Sequence, residues 1–156
     1  MTVNKQAKDF WDEFCLANPE VKQDENYQVW YFGDSSELAK ELCELVLEGK
    51  KIATASLVWE NEPNPSSAPI LNGYSLITDF DGNPKCIIKT IEINIKPFNE
   101  VDEVFAAKEG EGDLSLAHWK QVHWEYFVRK CKELGKQASE NMLVVCEEFK
   151  VIYPKS

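Results

Sequence analysis

The chain has 156 residues, of which 44% are hydrophobic and 12% aromatic, and its formal net charge is -10 at neutral pH. This length suits one domain with a substantial buried core. Tight, sequence-blind binding to long nucleic acids requires lysine and arginine to neutralise phosphates, so the charge predicts weak non-specific nucleic-acid binding at most. It leaves room for a locally basic pocket that holds one nucleotide-sized ligand.

The apolar runs and the cysteines indicate in which cellular compartment the protein is expected. No apolar run approaches the roughly 18 residues of a membrane span, and the N-terminal segment lacks the basic-then-apolar order of a secretory signal. The five cysteines are odd in number and form no CxxC pair. We therefore expect a cytoplasmic protein with reduced thiols, no membrane partner, no cofactor and no metal site.

The N-terminal third predicts two helices around one short strand. Apolar residues recur at helical spacing over residues 4–18, and the aromatic stretch 27–33 indicates a strand. The second helix is predicted to begin with a capping box of Asp34 and Glu37. Gly49 stands where a C-cap is expected.

The middle of the chain predicts three strands, at residues 52–60, 73–80 and 85–96, with a proline-rich loop over 61–69. Alternation in the longest strand predicts one polar face and one apolar face. The polar face would carry Thr90, Glu92 and Asn94, and the apolar face Ile91, Ile93 and Ile95.

The C-terminal third predicts a short helix near 100–108, a long helix over 115–134 and a final strand over 141–154. Strands in the middle and helices towards the ends indicate an α+β fold. We expect a small, curved, mostly antiparallel β-barrel or sheet with flanking helices, formed by a single domain over 1–156.

The segment "GKKIAT" at the junction of a helix and a strand is the first candidate site. On one interpretation, Gly49 caps the helix and two lysines complement its dipole. On the other, Lys50 and Lys51 form the floor of a small basic pocket. Spacing alone leaves both interpretations open.

Several segments together resemble the ASCH domain family, whose barrel is related to the PUA domain of RNA-modifying proteins. The resemblance runs from about Trp30 to Tyr153 and leaves 1–29 as an N-terminal helical extension. It rests on "FGDS" (32–35), "GKKIAT" (49–54) as the G-x-K-x-x-T signature, "GYSLITDFDGNPKCIIKTIEI" (73–93), "FNEV" (98–101), "EGEGDLSLAHW" (109–119) and "CEEFKVIY" (146–153). It implies a ligand cleft beside the signature.

The resemblance implies binding of, or action on, RNA or modified nucleosides. One branch of the family removes the acetyl group from acetylated cytidine, and another cuts RNA. In the first branch the lysine and threonine of the signature act with a glutamate of a T-I-E-[VI] strand, which implies Lys51, Thr54 and Glu92 as catalytic residues. Two functions stay open: a module that binds a nucleoside, nucleotide or short RNA, and a hydrolase of a nucleoside amide or an RNA phosphodiester.

The role of Lys51 depends on its charge. An exposed lysine has a pKa near 10.4, so Lys51 can act as a base only if burial lowers that pKa strongly. A carboxylate such as Glu92 beside it would instead hold the ammonium charged. Lys51 would then stabilise an oxyanion while Glu92 moves protons, and the sequence does not choose between these roles.

Further residues are candidates for contacts with the ligand. Lys50 lies within the signature and Ser56 follows it, and Trp30 either stacks on a nucleobase or fills the core. The segment "EGEGD" is either a turn with Asp113 near a helix N-cap or a rim of carboxylates that binds base amino groups or a divalent ion, although its spacing is not that of an EF-hand loop. The rim would consist of Glu109, Glu111 and Asp113. His123 is expected to be a packed core histidine.

Overall fold

The computed structural model describes residues 4–154, so both ends of the predicted 1–156 domain lie outside the described residues. Five strands and four α-helices are found within this range. In chain order they are α1 (Lys5–Ala17), β1 (Tyr27–Trp30), α2 (Ser36–Leu47), β2 (Ala53–Leu57), β3 (Tyr74–Thr78), β4 (Pro84–Pro97), α3 (Glu103–Lys108), α4 (Leu116–Leu134) and β5 (Leu143–Tyr153). The division into an extension and a core stays a prediction.

The five strands form one mixed sheet in the order β1-β3-β4-β5-β2. β1 runs parallel to β3, and the other neighbours are antiparallel. The predicted α+β class is confirmed, and the four strands of the middle and C-terminal regions lie in one sheet as expected. Among residues 4–154, β1 and β2 remain unpaired edges, so the predicted closed barrel is not confirmed.

Helices cover both faces of the sheet. α2 packs on Ile77, Ile88 and Phe149, and we name this side the α2 face. α1 packs on the neighbouring residues Leu76 and Ile87, which point to the other side because side chains alternate along a strand. α4 covers the β2–β5 end of that other side through Trp119, Phe127 and Cys131, and we name this side the α4 face.

The helix ends differ in detail from the prediction. Ser35, and not Asp34, caps α2 by accepting a hydrogen bond from the backbone of Leu38 at 3.2 Å. Gly135 ends α4 in the left-handed conformation, as a C-cap glycine should. β2 is shorter than predicted because the chain turns into a 3₁₀ turn after Leu57, where the Glu60 carboxylate accepts from the Leu57 N–H.

A β-bulge changes which residues of β4 share a face. Thr90 lies opposite Phe149, but Glu92 lies opposite Glu148, so Ile91 is an extra residue between them. Thr90 therefore points to the α2 face, and Glu92 points to the α4 face. The prediction that Thr90 and Glu92 share one face is wrong, because regular alternation does not survive a bulge.

All five cysteines lie within the described range, and each is buried and unpaired. None of the helices between residues 4 and 154 combines the length and the apolar character needed to cross a bilayer. Over the same residues, no three histidine, cysteine or acidic side chains are grouped as ligands for a metal ion.

Candidate functional site

The site is built around Lys51, whose side chain is only 1% exposed. The end of α2 directs it: the backbone N–H groups of Lys50 and Lys51 both donate to the carbonyl of Leu45. The next residue, Ile52, donates its N–H to the carbonyl of Lys108 at 2.8 Å, which ties this segment to the end of α3. The lysine therefore points into the protein.

Four oxygen atoms surround the Lys51 ammonium, and the most distant of them is the backbone carbonyl oxygen of Glu109 at 3.4 Å. Its Nζ donates to Glu111 Oε2 at 2.7 Å, to the carbonyl of Ala53 at 2.9 Å and to Glu109 Oε1 at 3.1 Å. An ammonium has three protons, so these acceptors use its full donor capacity. The centre of the Phe32 ring, from the "FGDS" segment, lies 5.6 Å from the same nitrogen.

Two glycines explain how both glutamates reach one lysine. Gly110 has φ +69°, and a Cβ there would lie 2.1 Å from the carbonyl oxygen of Lys50. Gly112 has φ +60°, and its Cβ would overlap the His118 ring. Only glycine fits such positions. The "EGEG" segment is thus a loop that presses against the chain at Lys50 and directs Glu109 and Glu111 to Lys51.

A second layer holds Glu109 from the side of α4. Its Oε2 accepts from the indole N–H of Trp119 and lies 3.0 Å from Nε2 of His123. The other ring nitrogen of His123 lies 2.9 Å from the Trp119 carbonyl. Carbonyl and carboxylate oxygens only accept, so both nitrogens of His123 carry a proton and the ring is a cation. We name Lys51, Glu109, Glu111 and His123 the Lys51 cluster.

The pKa shifts agree with these charges. Burial opposes the charged form of Lys51, but Glu109 and Glu111 outweigh it, and the pKa of Lys51 is raised. Burial likewise opposes the charge on Glu109, but Lys51 and His123 outweigh it and lower the pKa of Glu109 to about 2. Glu109 also outweighs burial at His123 and raises its pKa. A charged Lys51 has no lone pair with which to accept a proton, which argues against the general-base role.

A second polar group lies on the α2 face. Thr54 is directly opposite Glu147, and Ser56 is opposite Val145, so Thr54, Ser56 and Glu147 point to the same side. Thr90 donates its hydroxyl hydrogen to Glu147 Oε2 at 2.7 Å. We name this surface the Glu147 patch; it consists of Thr54, Ser56, Thr90, Ile93, Ile95 and Glu147.

The Glu147 patch is partly open to solvent. Thr54, Ser56 and Ile93 are half-buried and Ile95 is exposed, whereas Glu147 itself is only 6% exposed. Among residues 4–154, Glu147 Oε1 has no hydrogen-bond partner. Every fully buried side-chain oxygen in the same range does have one. Oε1 therefore reaches the surface. Burial raises the pKa of Glu147, against smaller opposing effects of the Thr90 hydrogen bond and the Lys51 charge.

The structure does not bring the three expected catalytic residues together. Lys51 and Thr54 are near each other, since the Lys51 ammonium binds the carbonyl of Ala53. Glu92 is exposed on the α4 face, where its carboxylate accepts from Asn94 at 3.2 Å. The bulge at Ile91 is the physical reason for this separation.

The expected ligand-contacting residues are divided between several environments. Lys50 is exposed and pairs with Glu48 at 2.9 Å. Asp113 is exposed and accepts from the backbone and hydroxyl of Ser115, which caps α4, so its helix-start interpretation is the correct one. Trp30 packs edge-on against Phe32 in the core beneath α2, with ring centres 4.7 Å apart.

The remaining three expected contact residues lie in the two groups just described. Ser56 belongs to the Glu147 patch. Glu109 is buried and Glu111 is 24% exposed, both bound to Lys51. They form neither a simple turn nor an open rim of carboxylates.

Sequence reasoning missed Glu147 and did not foresee that His123 pairs with a carboxylate. Glu147 has the same strand parity as Val145 and Phe149, which are both buried. An acid at a core position of a strand is a signal that the sequence does contain. His123 is indeed packed, stacked on Trp119 with centroids 4.1 Å apart, but it is also a charged partner of Glu109.

An open mixed sheet with helices on both faces, and a lysine of a G-x-K-x-x-T segment at its edge, define a PUA-like domain. The family model for the ASCH domain matches residues 28–153. The chain belongs to the ASCH domain family, and the resemblance noted in the sequence is confirmed.

Solved structures agree with this assignment. An ASCH domain from Lactobacillus crispatus is 33% identical, with a TM-score of 0.89 over 97% of this chain and 96% of that chain. A protein from Enterococcus faecalis is 32% identical, with a TM-score of 0.83 over 95% of this chain and 88% of that chain. A hypothetical protein at 17% identity and a TM-score of 0.51 shares the fold alone. None of the curated proteins matches the chain.

Proposed function

We propose that this ASCH domain protein binds RNA or a modified nucleoside in the cytoplasm, and that the ligand lies on the Glu147 patch beside residues 49–54. The observation that carries the proposal is the Glu147 carboxylate. It is nearly buried, has no cationic partner within hydrogen-bond distance and leaves one oxygen without a partner among residues 4–154. Because Oε1 reaches the surface, water or a ligand can donate to it, and a ligand that displaces the water must supply the donor itself.

The neighbouring side chains suit a small ring system. Neither hydroxyl, of Thr54 or of Ser56, has a hydrogen-bond partner within residues 4–154, and both can donate or accept. Ile93 and Ile95 provide an apolar surface beside them. Mixed apolar and polar surfaces of this kind hold the plane and the edge of a nucleobase.

Charge argues that the ligand is recognised mainly through its base. The net charge is -10, and the Lys51 ammonium is already bound by two carboxylates. Phosphate contacts therefore contribute little, and a nucleoside, nucleotide or short RNA fits better than a long duplex. Lys51 also holds the backbone beside the patch, because its ammonium donates to the carbonyl of Ala53, the residue before Thr54.

A second candidate function is hydrolysis of a nucleoside amide, which the free hydroxyl of Thr54 opposite Glu147 favours. In this reaction the Thr54 oxygen attacks the amide carbonyl while Glu147 accepts the hydroxyl proton. The amine leaves with that proton, and water then cleaves the resulting ester. The carboxylate on the face of Thr54 is Glu147, whereas Glu92 lies on the other face.

Two measurements test these functions. Titration of ¹⁵N-labelled protein with CMP, AMP and a short single-stranded RNA should shift the amides of β2, β5 and the end of β4. Incubation with N4-acetylcytidine, followed by chromatography, tests hydrolysis. If no ligand shifts these amides and no acetate is released, the proposed function is wrong.

Variants separate the two carboxylates in the hydrolase function. Thr54→Val and Glu147→Gln should each abolish acetate release, and Glu92→Gln should leave it unchanged. Loss of activity in Glu92→Gln with normal activity in Glu147→Gln would restore the assignment that the sequence resemblance implies.

A further inference from the structure

The Glu147 carboxylate has one oxygen, Oε1, to which no group among residues 4–154 donates a hydrogen bond. It lies opposite Thr54 on one side and Ile93 on the other, and Thr90 is its single donor among residues 4–154. An ionised carboxylate can accept about four hydrogen bonds. Oε1 therefore needs a donor from outside the chain whenever water is displaced from the patch.

The nearest cation does not supply this hydrogen bond. Lys51 exerts a charge effect on Glu147, but its three protons go to Ala53, Glu109 and Glu111. Among the residues that the structure describes, no cation is bound to this negative group of the patch. An anionic ligand group, such as a phosphate, is repelled at this point, whereas a neutral N–H donor is attracted.

From this geometry we infer that Glu147 determines base specificity: its free Oε1 accepts a hydrogen bond from the exocyclic amino group of cytosine or adenine, and it rejects the corresponding carbonyl of uracil. The inference rests on the proposed function and adds to it the residue that selects the base. A carboxylate that accepts from an amino group on a base edge is an established pairing in recognition.

Rejection of uracil follows from the same contact. The O4 atom of uracil is an acceptor, so its lone pairs would face Oε1 without a proton between them. A buried polar contact that lacks its proton costs more than a missing hydrogen bond, because both groups have lost water. Thr54 and Ser56 do not discriminate in this way, since hydroxyl groups adapt to donors and acceptors alike.

The test compares CMP and UMP, which differ at the position that Oε1 contacts. NMR titration of the wild-type protein should give a preference for CMP of about tenfold or more, the size expected for one good contact to a base edge. Glu147→Gln should reduce this preference to about twofold or less, because a glutamine amide can rotate and donate to O4.

Glu148→Gln is the matched control. Glu148 is the next residue in β5, but it points to the α4 face and binds Lys108 at 2.9 Å. This variant should keep the wild-type preference for CMP. A ligand-side control uses N4,N4-dimethylcytidine monophosphate, which has no amino hydrogen and should bind no better than UMP even to the wild-type protein.

The outcomes separate the inference from the function on which it rests. If neither CMP nor UMP binds the wild-type protein, this inference fails, and the proposed function is then judged by the titrations with AMP and RNA and by acetate release. If both bind with equal affinity, or if Glu147→Gln keeps the preference for CMP, the inference is overturned while nucleotide binding stands. The dimethylated ligand decides the matter even if a variant does not fold.

Discussion

The Lys51 cluster and the Glu147 patch are two solutions to the burial of charge, and they lie on either side of the same short strand. In the cluster, two carboxylates face two cations, and each charged group has its partner inside the protein. In the patch, one carboxylate is almost equally buried and has a single hydroxyl as its donor within the described residues. Buried charges that form ion pairs within the protein stabilise the fold, whereas a buried charge without such a pair is available to bind a ligand.

The largest expected effect comes from removing the cation of the cluster. Lys51→Met leaves Glu109 and Glu111 without their common partner, and breaking a buried pair in this way costs about 3–5 kcal/mol of the free energy of unfolding. Urea denaturation measures this loss. Lys50→Met removes an exposed pair and should change stability by no more than about 0.5 kcal/mol. Equal stabilities of the two variants would refute the structural role of Lys51.

The next effect concerns the loop that delivers the two glutamates. Gly110→Ala forces a Cβ to 2.1 Å from the Lys50 carbonyl at φ +69°. We expect a loss of about 2–4 kcal/mol in thermal or urea unfolding, because backbone must move. Gly49→Ala is the control: it has φ +78° but no atom within 4 Å of the added Cβ, and it should cost only about 1–2 kcal/mol. A control that costs as much as Gly110→Ala would argue against the close approach.

Replacing the carboxylate of the Glu147 patch should raise the free energy of unfolding, whereas the substitutions in the Lys51 cluster and its loop lower it. Burial raises the pKa of Glu147, so the ionised form is disfavoured in the folded protein. Its contribution to stability is complete below the unfolded pKa, close to 4.5, and is lost as the pH rises through the folded value. Glu147→Gln should therefore stabilise the protein by about 0.5–2 kcal/mol at pH 8, and this gain should vanish near pH 4.

Calorimetry at the two pH values measures the effect, and Glu148→Gln serves as its comparison. Glu148 has Lys108 as a partner, so its replacement should bring no gain. If Glu147→Gln proves less stable than the wild-type protein at pH 8, the carboxylate is needed by the fold and the contrast between the two regions disappears.

The smallest expected effect concerns the protonation of the His123 ring. Glu109 outweighs burial and raises the pKa of this ring, so its stabilising contribution is complete below 6.5 and is lost as the pH rises through the folded value. Nitrogen NMR at pH 7 should find both ring nitrogens protonated. Glu109→Gln should lower the pKa, and His118→Gln assigns the signals. A neutral His123 at pH 7 would contradict the charge balance of the cluster.

Much of the fold follows from local patterns in the sequence. Apolar spacing and turn residues located each α-helix and strand between residues 4 and 154 to within a few residues, because each pattern acts over a single element. Closure into a barrel was not confirmed, since pairing between the two edge strands depends on contacts across the whole chain. The cap at Ser35 was missed because Asp34 is an equally good capping residue type.

The site could be predicted only in part. The signature segment pointed to Lys51 and Thr54, but the partners of Lys51 lie 58 and 60 residues further along the chain. No spacing rule connects groups at such a separation; only the folded loop at Gly110 brings them together. Glu147 was different, because its place among buried strand residues was visible in the sequence.

The bulge in β4 shifts by one residue the alternation of side chains between the two faces of the sheet. Residues before Ile91 and residues after it are assigned to the two faces in different phases, although the strand continues without a break. A single extra residue in β4 thus decides whether Glu92 shares a surface with Thr54, while Glu147 lies there through the pairing of β2 with β5. Among related chains, an insertion or deletion at this point would change which side chains line the surface while the architecture stays the same. A sequence alignment that ignores such a gap would pair residues from opposite sides of the sheet.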